Sequence, residues 1–167
     1  MLNGIIIKSL KKLADERGSF TEIFRKDWKE LFGGEDIVKS NMSITYPGSV
    51  RAWHRHERGQ IDSFVVVNGS IKICAFDDSS RELDEIILTG DVSQIARVPG
   101  MYWHGFKVIG NKPATLVYFV NKLYDYNSPD ELRKDWNDSN IIPFTINGKV
   151  DDPRCNKSWD WFFPMFK

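Results

Sequence analysis

Histidine and cysteine are the scarce residues of this chain, with three of the first and two of the second among 167. Two cysteines, Cys74 and Cys155, cannot build the disulfide framework of a small secreted domain. Neither sign of charge is in excess, since Lys plus Arg and Asp plus Glu both number 23. The basic footprint of a nucleic-acid binder is therefore missing, and any anion site must be local. No apolar run is long enough for a membrane helix; Gly4 to Ile7 reads as a first strand instead. A basic segment followed by a long apolar run is also lacking at the N-terminus, so we expect no membrane association and a reduced cytoplasmic setting. Internal repeats, low-complexity segments and a composition break are absent, so residues 1–167 are expected to form one domain. A hydrophobic content of 41% is enough for a core of that size.

Long helical periods are lacking too, and short β-type runs take their place. Gly4–Leu10 is β-branched and apolar, and Ser19–Arg25 alternates polar with apolar residues across a turn at Asp15-Glu-Arg-Gly18. Lys26–Phe32 predicts a short helix around Trp28 and Leu31, ended by Gly33-Gly34, before strand character returns over Ile37–Tyr46. Further runs follow at Val50–His56, Ser63–Val67, Ser70–Phe76, Leu83–Leu88, Ser93–Val98, Tyr102–Val108 and Ala114–Val120. Turn residues separate them, among them Pro47-Gly48, Asn68-Gly69, Gly90-Asp91 and Pro99-Gly100. Many short strands at this spacing predict an all-β sandwich or barrel. After Leu123 the chain becomes polar, with a helical turn expected to end near Trp136. Trp159, Trp161, Phe162, Phe163 and Phe166 would be costly to leave in water, so the tail is expected to pack on the body or on a partner.

All three histidines lie in two segments. Val50-Arg-Ala-Trp-His-Arg-His56 holds two, and strand periodicity points Val50, Ala52, His54 and His56 one way and Arg51, Trp53 and Arg55 the other. Pro99-Gly100-Met-Tyr-Trp-His104 delivers the third from a later strand. Gly48 followed by His54-x-His56, with the later Pro-Gly and His104, resembles the two signature motifs of the cupin superfamily. Gln60 and Ile61 stand where that pattern has its acidic residue, and Asp62 is the nearest carboxylate.

A narrower resemblance covers most of the chain. Asp15-x-Arg17-Gly18-x-Phe20-x-Glu22-x-Phe24, Asn41-x-Ser43, Arg51-x-x-His54, Pro99-x-x-x-x-His104-Gly105-Phe106 and Tyr126-x-x-x-x-Glu131-x-x-x-x-Trp136-Asn-Asp138 resemble the dTDP-4-dehydrorhamnose 3,5-epimerase family. The resemblance implies a cupin-type double-sheet jelly roll with short peripheral helices, a homodimer, a dTDP-linked 4-keto-6-deoxy sugar as substrate, and no cofactor. It also implies that His54 is the catalytic base, that Arg51 contacts substrate phosphate, and that Arg17, Phe20 and Glu22 form the nucleotide-binding segment. Tyr126 would stack near the nucleotide, while Asn41, His56, Asp62 and His104 would complete the substrate site. The chemistry suits these residues. A proton on carbon beside a ketone yields to a base of near-neutral pKa while polar groups stabilise the enolate oxygen, and an acid on the opposite face completes an inversion.

The chain departs from that family at three places. His56 replaces a glutamine, Asp62 replaces a lysine, and Val120 stands where the catalytic tyrosine falls. Tyr118, two residues earlier on the same strand face, is the candidate acid, and Asp160 the candidate carboxylate that orients His54. Two alternatives follow. His54, His56, Asp62 or Gln60, and His104 form a ligand set for a divalent transition metal in a cupin enzyme acting on another small molecule. A binding module that has lost its acid is the other.

Overall fold

The structure is a computed structural model describing residues 1–164, so Phe166 lies outside the described residues. Among the described residues, thirteen strands and one four-residue helix follow in chain order. They are β1 (Ile6–Ser9), β2 (Lys12–Asp15), β3 (Gly18–Thr21), α1 (Lys29–Phe32), β4 (Lys39–Thr45), β5 (Val50–His56) and β6 (Ile61–Asn68). The series continues with β7 (Ser70–Phe76), β8 (Glu82–Thr89), β9 (Gln94–Pro99), β10 (Trp103–Val108), β11 (Ala114–Val120), β12 (Glu131–Arg133) and β13 (Thr145–Ile146).

Two sheets pack face to face, one ordered β1-β9-β6-β11-β4 and the other β12-β5-β10-β7-β8-β13, while β2 and β3 form a separate hairpin. All ladders are antiparallel except β13 on β8. The crossing of neighbours far apart in sequence, such as β11 between β4 and β6, is the double-sheet jelly roll that the family resemblance implies, and it meets the all-β expectation from the strand pattern. The expected helix at Lys26–Phe32 shortens to its last turn. The helical turn expected before Trp136 is instead the edge strand β12, whose backbone completes the ladder of β5.

Side-chain burial explains why the central strands read as continuous apolar runs. Residues 71–76 of β7 are all buried, because that strand is covered on both faces. Between the sheets lie Phe64, Val66, Ile73, Ile86, Val98, Phe106 and Leu116. The outer face of the six-stranded sheet is covered by the C-terminal segment, where Trp159 and Trp161 join Trp53, Cys74, Phe76 and Trp103. The tail thus packs on the body: Trp161 is 1% exposed, its ring centroid lies 4.8 Å from that of Trp53, and its Nε1–H donates to the Trp136 carbonyl at 3.1 Å. Lys107 clamps the same segment, donating from Nζ to the Trp161 carbonyl at 2.9 Å and lying 3.7 Å from the centre of the Phe162 ring. On the outer face of the five-stranded sheet, Leu10, Leu31 and Phe32 cover Val65, Ile95 and Phe119. At one end of the sandwich the sheets part and leave an opening between β5 and β11.

Candidate active site

At that open end the two sheets enclose a cavity of about 920 Å³. Its walls are set by register. On the five-stranded sheet Val120 pairs with Asp62 on one side and Lys39 on the other, and Tyr118 pairs with Phe64 and Asn41. Directly paired residues share a sheet face, so these side chains form two parallel rows on the cavity wall. The opposite wall is β5, which carries His54 and Arg51.

Strict alternation places Arg51 and His54 on opposite faces, and here the structure corrects the expectation. His104 of β10 pairs with His54, but Phe106 pairs with Arg51, so one extra residue of β5 bulges out between the two pairs. The bulge turns Arg51 onto the face of His54 and leaves Trp53 for the opposite core. Gly105 permits it: a Cβ there would lie 2.3 Å from Ala52 Cβ and 2.6 Å from the Arg51 carbonyl. Gly100 has a similar role below His56. Its carbonyl accepts from the His56 N–H at 2.7 Å, and a Cβ would meet the Gln60 carbonyl at 2.5 Å.

Behind His54 is a buried polar network. His104 is fully buried and takes no part in the cavity lining. Its Nδ1–H donates to the Tyr102 carbonyl at 2.8 Å, and its Nε2 is 3.2 Å from Asp62 Oδ2. The Gln60 amide donates to His56 Nε2 at 3.0 Å and to Asp62 Oδ1 at 3.2 Å. Burial opposes the Asp62 charge, but the hydrogen bond from His104 and the surrounding imidazoles outweigh it and hold the carboxyl below its usual value. Its carboxylate lines the cavity but has hydrogen-bond partners, Gln60 and His104, within the wall.

His54 is different. Its ring packs edge-on against His104, with centroids 4.2 Å apart, and it has no hydrogen-bond partner among the described residues. Burial, reinforced by His104, holds its pKa well below the ordinary imidazole value, so at neutral pH it is a free base with an unshared lone pair. Burial likewise lowers His56. Across the cavity, the Tyr118 ring packs tilted against Phe64 with centroids 5.7 Å apart, and its hydroxyl also has no partner among the described residues; burial pushes its pKa up, keeping the phenol protonated. The arrangement can abstract a proton from one side of a bound ring and return one from the other.

The cavity gathers His54, Tyr118, Asn41, Arg51, His56 and Asp62 as the sequence predicts, with His104 behind them. Asp160 is not among them. It is exposed on the outer side of the C-terminal segment, where its Oδ1 accepts from the Phe162 N–H at 2.8 Å, so it cannot orient His54. Arg17, Phe20 and Glu22 also fall outside this cavity, on or beside the exposed β2–β3 hairpin: Arg17 pairs with Asp15 and Glu22 with Arg25. Tyr126 is 86% exposed against Tyr124, and it is Tyr124 that lines the cavity. Lys39, Glu131, Arg133 and Trp136 also line the cavity. Of these, Glu131 and Trp136 were visible in the motif before Asp138; Lys39 and Arg133 carried no local signal. Of the four expected metal ligands, His56, Asp62 and His104 place donor atoms within 4.8 Å of one another, while His54 stands apart.

A double-sheet jelly roll with a solvent-open polar cavity bearing a free imidazole is a cupin-type architecture built for small-molecule chemistry. The chain belongs to the polysaccharide biosynthesis C-terminal domain family, whose model matches residues 13–132. It is 43% identical over 137 residues to the "Probable low-salt glycan biosynthesis epimerase Agl13" of Haloferax volcanii, covering 79% of this chain and 86% of that one. It is 33% identical over 146 residues to the spore coat polysaccharide biosynthesis protein SpsL of Bacillus subtilis, covering 84% and 94%. Among solved structures, it resembles dTDP-6-deoxy-D-glucose-3,5-epimerase RmlC of Legionella pneumophila in complex with dTDP-4-keto-L-rhamnose. The TM-score is 0.73 at 25% identity, over 84% of this chain and 77% of that one. The dTDP-4-dehydrorhamnose 3,5-epimerase of Elizabethkingia anophelis shares the fold at a TM-score of 0.73 and 24% identity, over 98% and 84%.

Proposed function

We propose that this protein is an isomerase that epimerises a nucleotide-linked 4-keto-6-deoxy sugar beside its ketone. The observation that carries this reading is the pairing of His54, a neutral imidazole without a protein partner, with the free hydroxyl of Tyr118 on the facing wall. His54 takes the proton from the carbon next to the carbonyl. The electron pair moves onto the carbonyl oxygen, and Tyr118 returns a proton to the opposite face of the same carbon. Solvent then resets the imidazolium and the phenolate. Arg51, with no carboxylate partner among the described residues, suits the diphosphate, and Asn41 lies beside Tyr118 to hydrogen-bond the sugar. The chemistry needs no cofactor.

Arg17, Phe20 and Glu22 serve this reading only from a second copy. β4 is an edge strand whose outer face exposes Met42 and Ile44, and the separate β2–β3 hairpin exposes Leu13 and Phe20. A homodimer that buries these residues would carry the hairpin towards its partner's cavity. A monomer mass in light scattering at micromolar concentration counts against it. The buried free thiols of Cys74 and Cys155 accord with a reducing, cytoplasmic setting. Among the described residues, no helix is long and apolar enough to cross a membrane.

Incubation with dTDP-4-keto-6-deoxyglucose in deuterated water tests the reaction. Deuterium should enter C3, C5 or both, and the absence of exchange at either carbon sinks the proposal. Tight dTDP binding without exchange would leave a binding module. A second reading attaches to His56, Asp62 and His104, whose donor atoms suit a divalent transition metal. The His104 Nδ1–H bond to a carbonyl is the support that a ligating imidazole requires. Gln60, which points an N–H at two of the three ligands, would have to turn away. Elemental analysis of protein purified without chelator decides this reading, since a metal content near zero with full activity leaves it unsupported.

A further inference from the structure

An enolate formed in this cavity carries a negative oxygen that needs a positive or hydrogen-bonding partner. Asp62 cannot serve, because it is itself anionic and held by His104 and Gln60. His104 cannot, because it does not line the cavity. Four cationic side chains do line it: Lys39, Arg51, Arg133 and Lys134. Arg133 is bonded to Glu131 at 2.9 Å. Lys134 lies over the Trp103 ring at 4.5 Å, with Asp78 at 3.8 Å and Asp138 at 4.0 Å. Among the described residues, Arg51 and Lys39 have no carboxylate partner; Lys39 approaches only the Tyr124 ring, at 5.9 Å.

Register separates the last two. Asp62, Val120 and Lys39 form one row across the five-stranded sheet. That row is level with His54, because Asp62 reaches His104 at 3.2 Å and His104 is the strand partner of His54. Arg51 pairs with Phe106, which packs on Phe64 in the next row, so it stands one row further along with Tyr118. At the usual strand spacing Lys39 is two strands, roughly 10 Å, from Asp62. A sugar ring between β5 and β11 would therefore have His54 on one side and the Lys39 amine within reach on the other.

We propose that Lys39 is the catalytic electrophile of this site, its ammonium stabilising the oxygen that becomes negative when His54 removes the neighbouring proton. The assignment rests on the epimerase reading above and adds to it the residue that stabilises the intermediate. Arg51 is left to hold the diphosphate.

The test compares the unaltered protein with Lys39→Met and Lys39→Arg, following deuterium exchange into dTDP-4-keto-6-deoxyglucose by NMR and dTDP binding by calorimetry. Lys39→Met should lower kcat for exchange about 100-fold or more, as the loss of one oxyanion partner does elsewhere. Its dTDP affinity should stay within about twofold, which also reports an intact fold. Lys39→Arg should recover part of the rate, because it keeps the charge. Exchange by Lys39→Met within about threefold of the unaltered protein overturns the assignment and leaves the epimerase reading standing. So does a loss of dTDP affinity of about tenfold or more, which would make Lys39 a phosphate contact. No exchange by the unaltered protein overturns both.

Discussion

Asp62→Asn probes the network that backs the base. The carboxylate accepts from His104 Nε2 at 3.2 Å and from Gln60 Nε2 at 3.2 Å, in a residue 3% exposed. Removing one member of a buried pair costs about 3–5 kcal/mol, and a hydrogen bond to a charged group contributes about 1.5–3 kcal/mol. Asparagine keeps the shape and one acceptor, so we expect a loss of about 3 kcal/mol at pH 7. In a protein of this size that lowers Tm by roughly 6–12 °C. The sign of the pH dependence follows from the depressed folded-state pKa of Asp62. Its contribution is present above the unfolded value of 3.8 and is lost as pH falls through the folded value, so the gap between the two proteins should narrow in acid. Urea unfolding at pH 7 and at successively lower pH measures both. A variant within about 0.5 kcal/mol of the parent at pH 7, or more stable than it, would refute the claim that Asp62 is paired within the wall.

Three further outcomes are expected. Gly105→Ala must displace backbone atoms of β5 that lie within 2.6 Å of the new methyl, costing about 3 kcal/mol or more in urea unfolding and exchange activity with it; an unchanged midpoint would contradict the bulge. Trp161→Ala empties a site buried against Trp53 and should cost about 3–5 kcal/mol while leaving dTDP binding measurable, and a loss below about 1 kcal/mol would mean that the tail is not anchored there. Because burial holds His54 below 6.5, the acid limb of kcat/KM should fall below that pH. Between the folded pKa of His54 and 6.5 the unfolded chain binds more protons, so stability should rise with pH through that window and be flatter in His54→Asn; an acid limb centred at or above 6.5 would contradict it.

The strands and their turns were legible because alternation, β-branching and Gly or Pro punctuation all point one way. The buried strand β7 showed as an apolar run, and the convergence of His54, His56 and His104 showed in their confinement to two turn-linked strands. What escaped was long-range geometry. Arg51 and His54 share a face only because β5 bulges against Gly105, and the sole trace of that is the three-residue spacing. The family resemblance puts Asp160 near the site, yet its segment crosses the outer face of the six-stranded sheet. Lys39 became notable only once β4 was paired with β11, which no local pattern reveals. The short β12 read as a helical turn because three residues carry too little alternation to mark a strand.

Base and acid stand on facing sheets in this reading, and Tyr118→Phe in deuterated water probes that arrangement. With His54 intact and the opposite donor gone, the substrate should still exchange deuterium, but the centre should return to its starting configuration, while His54→Asn should abolish exchange altogether. Inversion by Tyr118→Phe at the rate of the unaltered protein would contradict that arrangement, because the second proton would then come from another group.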